Sequence, residues 1–341
     1  MHPIQAGFRF VLGCAAAIGF IDTAWGAEQL PGEFIVRTYL KNTLWTAHDT
    51  DSSAALDDVV TTATTIGPNE RFKLWLTPPN DVRFQTLGGH FLSASGNIRP
   101  GNGDPRMALQ TYTTLDLGTS HFRLVNPYRR AGHTNIVWPW MGYFTIQTSS
   151  DYYLTAVGGG GKSTAAFHTD ALHPKSWEWF WILKCGDLGS GFVYSFRPAA
   201  TGSPGQPKER WLFTRNLGEE RTETHWGVYP SQYKLMRQDD GTYAFQYQLT
   251  RTKVSFLTAV GGGGIAHGDI IHADATWIKA WEKFRVVDRG DCTYTVQTVN
   301  NWFLGVNMST GEASTSISDP DAAPSIGYAA RFELVMRFPR Q

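Results

Sequence analysis

A stretch that occurs twice constrains this chain more than any other feature. The first copy opens Tyr153-Leu154-Thr155-Ala156-Val157, runs through Gly158, Gly159, Gly160 and Gly161, and closes with His168-Thr169-Asp170-Ala171, Lys175, Trp177-Glu178 and Phe180. The second opens Phe256-Leu257-Thr258-Ala259-Val260, runs through Gly261, Gly262, Gly263 and Gly264, and closes with His272-Ala273-Asp274-Ala275, Lys279, Trp281-Glu282 and Phe284. Internal repetition of this kind dictates architecture, because a repeated unit buries its apolar face against copies of itself.

Followed outward, the pattern gives six units. Each closes on an aromatic-x-aliphatic element: Phe72-Lys73-Leu74, Phe122-Arg123-Leu124, Phe180-Trp181-Ile182, Tyr233-Lys234-Leu235, Phe284-Arg285-Val286 and Phe332-Glu333-Leu334. An aromatic-Leu-small element precedes most of them, as in Phe91-Leu92-Ser93-Ala94 and Phe303-Leu304-Gly305-Val306. Opening segments such as Val82-Arg83-Phe84-Gln85-Thr86 alternate with period two, the signature of half-buried strands. Gly88-Gly89 and Asn300-Asn301 fall where hairpin turns belong. Helical periodicity is almost absent. Six strand-rich units suit either six propeller blades or two three-unit trefoils.

The aromatic-Leu-Thr-Ala element, the glycine turn, His-x-Asp-Ala and Trp-Glu-x-Phe together resemble the fascin-like β-trefoil repeat. The resemblance is specific in units three and five, partial in units one and two, and weak in units four and six. It implies an all-β protein of two tandem β-trefoil lobes, about 28–188 and 189–341, with a six-bladed β-propeller as the alternative. It also implies a non-enzymatic binding protein of the kind found among actin-bundling and secreted lectin-like proteins.

The N-terminus reads as an export signal over residues 1–26. Arg9 precedes an apolar run from Phe10 to Ile21, and Ala24 and Gly26 place small residues before a cut at Ala27. A secreted protein, extracellular or periplasmic, is expected. The formal net charge is zero, so nucleic acid is a poor partner, and no segment predicts membrane insertion. Without Cys14, Cys185 and Cys292 remain. They occupy non-equivalent places in the repeat, so two separate buried thiols are expected ahead of a disulfide.

Several motifs invite chemistry and are better explained structurally. Ala156 to Ser163 matches a relaxed phosphate-binding loop, but no helix pattern follows, and the second copy replaces Lys162-Ser163 by Ile265-Ala266 while keeping the glycines. Arg289-Gly290-Asp291 lies between two strands, where Gly-Asp is ordinary turn chemistry. His267, Asp269, His272 and Asp274 are of metal-binding types, but the first copy keeps only His168 and Asp170. Glu70, Glu178 and Glu282 recur one per unit, which suits a hydrogen bond that fixes each unit rather than a paired-carboxylate site. No catalytic, metal or cofactor-binding residue is assigned.

The remaining candidates are His168, Asp170, Lys175 and Trp177, with His272, Asp274, Lys279 and Trp281. Tryptophan faces stack on sugar rings while His, Asp and Lys bind hydroxyls, so a shallow glycan or polysaccharide site is expected in two units rather than six. The competing role for each tryptophan is a cap on the core, whereas His-x-Asp on a loop has no packing reason to exist. A protein surface is the alternative partner, through actin bundling or as the receptor-targeting subunit of a toxin.

Overall fold

The computed structural model describes residues 27–48, 57–77, 81–99, 108–112, 118–125, 143–199, 211–218, 221–227, 230–248, 253–266 and 270–337. The expected signal peptide lies outside the described residues. Among the described residues, regular structure is entirely β-strand and short 3-10 turns. Among the described residues no helix is long and apolar enough to cross a membrane.

The first half contains β1 (Glu28–Gln29), β2 (Glu33–Thr38), β3 (Leu44–Ala47), β4 (Val59–Ala63), β5 (Phe72–Thr77), β6 (Asp81–Thr86), β7 (Phe91–Ser93), β8 (Gln110–Tyr112), β9 (Phe122–Val125), β10 (Thr145–Thr148), β11 (Tyr153–Ala156), β12 (Phe167–Ala171) and β13 (Phe180–Cys185). The second contains β14 (Val193–Pro198), β15 (Trp211–Gly218), β16 (Arg221–Gly227), β17 (Tyr233–Arg237), β18 (Tyr243–Gln248), β19 (Val254–Ala259), β20 (Ile271–Ala275), β21 (Arg285–Asp288), β22 (Tyr294–Gln297), β23 (Phe303–Asn307), β24 (Ala313–Ile317), β25 (Tyr328–Ala329) and β26 (Phe332–Arg337).

All pairing is antiparallel, and it runs in two circuits. In the first, β2 pairs β5, β5 pairs β6, β6 pairs β9 and β9 pairs β10. A Phe144–Phe180 bridge then leads to β13, which returns to β2. In the second, β14 pairs β17 and β17 pairs β18; a Tyr243–Phe284 bridge leads to β21, which pairs β22, then β26, then β14 again. Hairpins β3–β4, β7–β8 and β11–β12 attach to the first ring, and β15–β16, β19–β20 and β23–β24 to the second. Ring strands pair across unit boundaries, whereas a propeller keeps each blade's strands in one sheet. The propeller alternative is therefore wrong.

Period-two patterning places the core. In the β5–β6 hairpin, Phe72, Leu74, Val82 and Phe84 are buried, while Lys73 and Gln85 alternate toward the surface. Trp45 from the first hairpin is fully buried against Phe84, Phe167 and Phe180, with ring centroids 5.2–5.6 Å apart. Phe196, Phe245 and Phe284 stack in the second ring. Each large ring taken from water contributes roughly 2–3 kcal/mol.

The halves meet along β13, β14 and β26. Leu183 pairs with Val335, and Trp181, Trp211 and Ile35 join them in a separate apolar cluster. Glu333 is buried between the guanidinium groups of Arg37 and Arg197. Arg197 also lies 3.7 Å over the Trp181 ring. Cys185 and Cys292 form a disulfide here, contrary to the expectation of separate thiols. Non-equivalent positions within a repeat say nothing against pairing when the bond runs between halves rather than around one ring.

Candidate functional site

The repeated stretch folds identically in both copies, and its glutamate is the reason. Strand β19 leads through the 3-10 turn Val260–Gly262 and back along β20, with Thr258 opposite His272. A second 3-10 turn, Ala280–Glu282, follows. The buried Glu282 accepts a hydrogen bond from the Lys279 backbone N–H at 2.8 Å and one from Thr258 Oγ1 at 2.9 Å. Glu178 does the same with Lys175 N–H and Thr155 Oγ1, and Glu70 accepts from Gly67 N–H at 2.7 Å. All three carboxylates cap their turns, and Glu178 and Glu282 also tie them to the hairpin. Both oxygens of Glu178 and of Glu282 are thereby engaged, as a fixing role requires.

Holding the glutamate inward turns the preceding residue outward. Trp281 is 47 % exposed and Trp177 44 % exposed, so neither caps the core as the competing role required. The His-x-Asp pairs lie on strands β12 and β20, not on loops. Positions i and i+2 of a strand share a face, which brings His168 Nδ1 to 2.5 Å from Asp170 Oδ1 and His272 Nδ1 to 2.5 Å from Asp274 Oδ1. Asp170 holds the His168 imidazole by a hydrogen bond, whereas Asp274 lies as close to His272 without hydrogen-bond alignment.

In unit five these elements border one cleft of about 630 Å³, lined by His272, Thr276, Trp277, Lys279, Trp281 and Glu282 among others. That volume lies within the roughly 300–1,000 Å³ usual for small-molecule sites. Three predicted residues, His272, Lys279 and Trp281, line it; Asp274 lies against His272 beside it. Sequence reasoning missed Trp277, which is 75 % exposed. The available signal was the mismatch between copies, since His173 stands three residues after Asp170 where Trp277 follows Asp274. His168, Asp170, Lys175 and Trp177 form the equivalent set in unit three, on the other ring, so the two sets do not share a site.

The other motifs resolve structurally. All eight glycines of the two turns have positive φ. Gly161 N–H donates to Thr61 O, and Lys162 N–H to Thr61 Oγ1, so amides that a phosphate loop would offer to a ligand are used within the fold. Arg289 pairs with Asp321, and Asp291 with Arg331, which ties down both charged ends of the Arg-Gly-Asp tripeptide. His267 and Asp269 lie outside the described residues; among the described residues no cluster of His, Cys, Asp and Glu could hold a metal.

No known family of sequences matches the chain, and no curated protein does. Solved structures do show likeness. A designed three-fold symmetric protein, ThreeFoil, is 13 % identical with a TM-score of 0.34, over 44 % of this chain and 97 % of that one. A mosquitocidal holotoxin is 12 % identical with a TM-score of 0.36, over 90 % of this chain and 34 % of that one. The agglutinin from Abrus precatorius is 12 % identical with a TM-score of 0.30, over 94 % of this chain and 95 % of that one. These scores are too low to carry an argument about function.

Proposed function

We propose that each ring with its three hairpins is one fascin-like β-trefoil lobe, 28–188 and 189–341, and that the protein is a secreted, non-enzymatic carbohydrate-binding protein. One observation carries the reading: a cleft bordered by two solvent-facing tryptophans, an imidazole with a carboxylate beside it, and a lysine. Aromatic faces with convergent polar groups are what a saccharide requires. Exposing two indoles to water is unfavourable unless something covers them. The Cys185–Cys292 disulfide supports export, because such bonds persist in oxidising compartments. Engagement of the repeated glutamates in turn capping supports a binding rather than a hydrolytic role.

A glycan array tests this. The wild-type protein binds at least one saccharide, and Trp281→Ala weakens that binding about tenfold, or ~1.4 kcal/mol. No glycan retained above background at high protein density overturns the proposal.

A further inference from the structure

The two copies share a glutamate-capped turn, a histidine beside an aspartate, a lysine and an exposed tryptophan. They differ at two adjacent exposed positions, Thr276 in unit five against Leu172 in unit three and, with the larger change of shape, the one that follows. Unit five places Trp277 there, in the same cleft as Trp281, and unit three places His173. Trp277 has no structural duty that explains it: at 75 % exposure it buries little of its own surface, and substitution there leaves the core untouched. A second indole four residues from the first adds a second flat apolar face to one opening.

We propose that Trp277 is the specificity-determining residue of the unit-five cleft and makes it a site for two successive sugar rings, one against Trp281 and the next against Trp277. The unit-three site, with a single indole at Trp177, holds one terminal sugar. This inference rests on the carbohydrate reading. It assigns the lobes different ligands: the second reads a chain, the first an end. Thr276 and Lys279, both exposed beside the indoles, supply hydroxyl and ammonium partners for the substituents between the rings.

The test uses the full chain and the monomer, dimer and tetramer of glucose, galactose, mannose and N-acetylglucosamine, titrated by calorimetry. For whichever sugar binds, the wild-type protein gains about tenfold in affinity from monomer to dimer at one site per chain. Trp277→His, which copies unit three at this position, removes that gain. Trp177→Ala leaves the gain intact. In the reverse direction, His173→Trp raises the number of dimer-preferring sites from one to two. An undiminished chain-length gain in Trp277→His overturns the proposal while sparing the carbohydrate reading. Absence of binding by the wild-type protein to every probe overturns the two-ring site for these sugars, while the glycan array decides the carbohydrate reading. Circular dichroism of each variant confirms that the fold is retained.

Discussion

Glu333 carries its charge where water does not reach it. Burial alone raises a carboxyl's pKa, but the flanking guanidinium groups of Arg197 and Arg37 outweigh that cost and hold Glu333 down at about 2. A folded-state value below the ordinary 4.5 gives stability that is complete above pH 4.5 and is lost as the pH falls toward 2. Replacing one member of such a set leaves the others buried and uncompensated. Glu333→Gln is therefore expected to cost about 3–5 kcal/mol at pH 7. Its deficit against wild type, followed by urea unfolding from pH 7 to pH 3, shrinks below about pH 4.5; a constant deficit would rule out this ionic arrangement. Nothing local announces the cluster. Glu333 occupies an ordinary place in a Phe-x-Leu strand, and its partner Arg37 lies 296 positions away.

At the scale of elements, the glycine turns do more than reverse the chain. Gly160, at φ +114°, sits where an added Cβ would lie 2.5 Å from Thr43 Oγ1 and 2.7 Å from Thr38 Oγ1, both in unit one. Gly263 presses in the same way on Thr298 of unit six. Each turn thus leans on the next unit around its ring. Gly241, at φ +79° with open space around it, separates the two causes. Gly241→Ala is expected to cost only the left-handed backbone penalty, about 1–2 kcal/mol, and Gly160→Ala clearly more. Equal losses in thermal melts would show that the close approach is unimportant. These elements were legible in the sequence because the copy at Gly261 exposed the turn as structural. The closing strands were legible from their aromatic-x-aliphatic element; period two survives in β5 and β17, while β13 and β26 are buried throughout where the halves meet. The exposure of the tryptophans was not, since it follows from the inward pull of Glu178 and Glu282 in three dimensions. Trp277 escaped because a search for what the copies share passes over the position where they differ.

For the whole molecule, the two rings are held by one covalent bond and by an interface that mixes tryptophan, arginine and glutamate. Cys185 and Cys292 enclose 107 residues of chain, so their bond removes much freedom from the unfolded state. The double variant Cys185→Ser, Cys292→Ser is expected to lose about 2–5 kcal/mol. A guanidinium midpoint equal to that of the oxidised wild type would show that the bond contributes nothing. Arg71 of unit one adds a further tie by donating to the Gly290 carbonyl at 2.7 Å.

Each ring is also shut by its own first and last strands. Glu33 meets Cys185 in one, and Val193 meets Arg337 in the other. A nascent chain therefore carries β2 without β13, its longest pairing, until nearly the whole first half has been synthesised. Contacts so distant in sequence make folding slow, because the entropy of closing a long loop is lost before any reward arrives. Such a polypeptide lingers in an open state after synthesis, and its staves lock only once the first and last of each ring are both present.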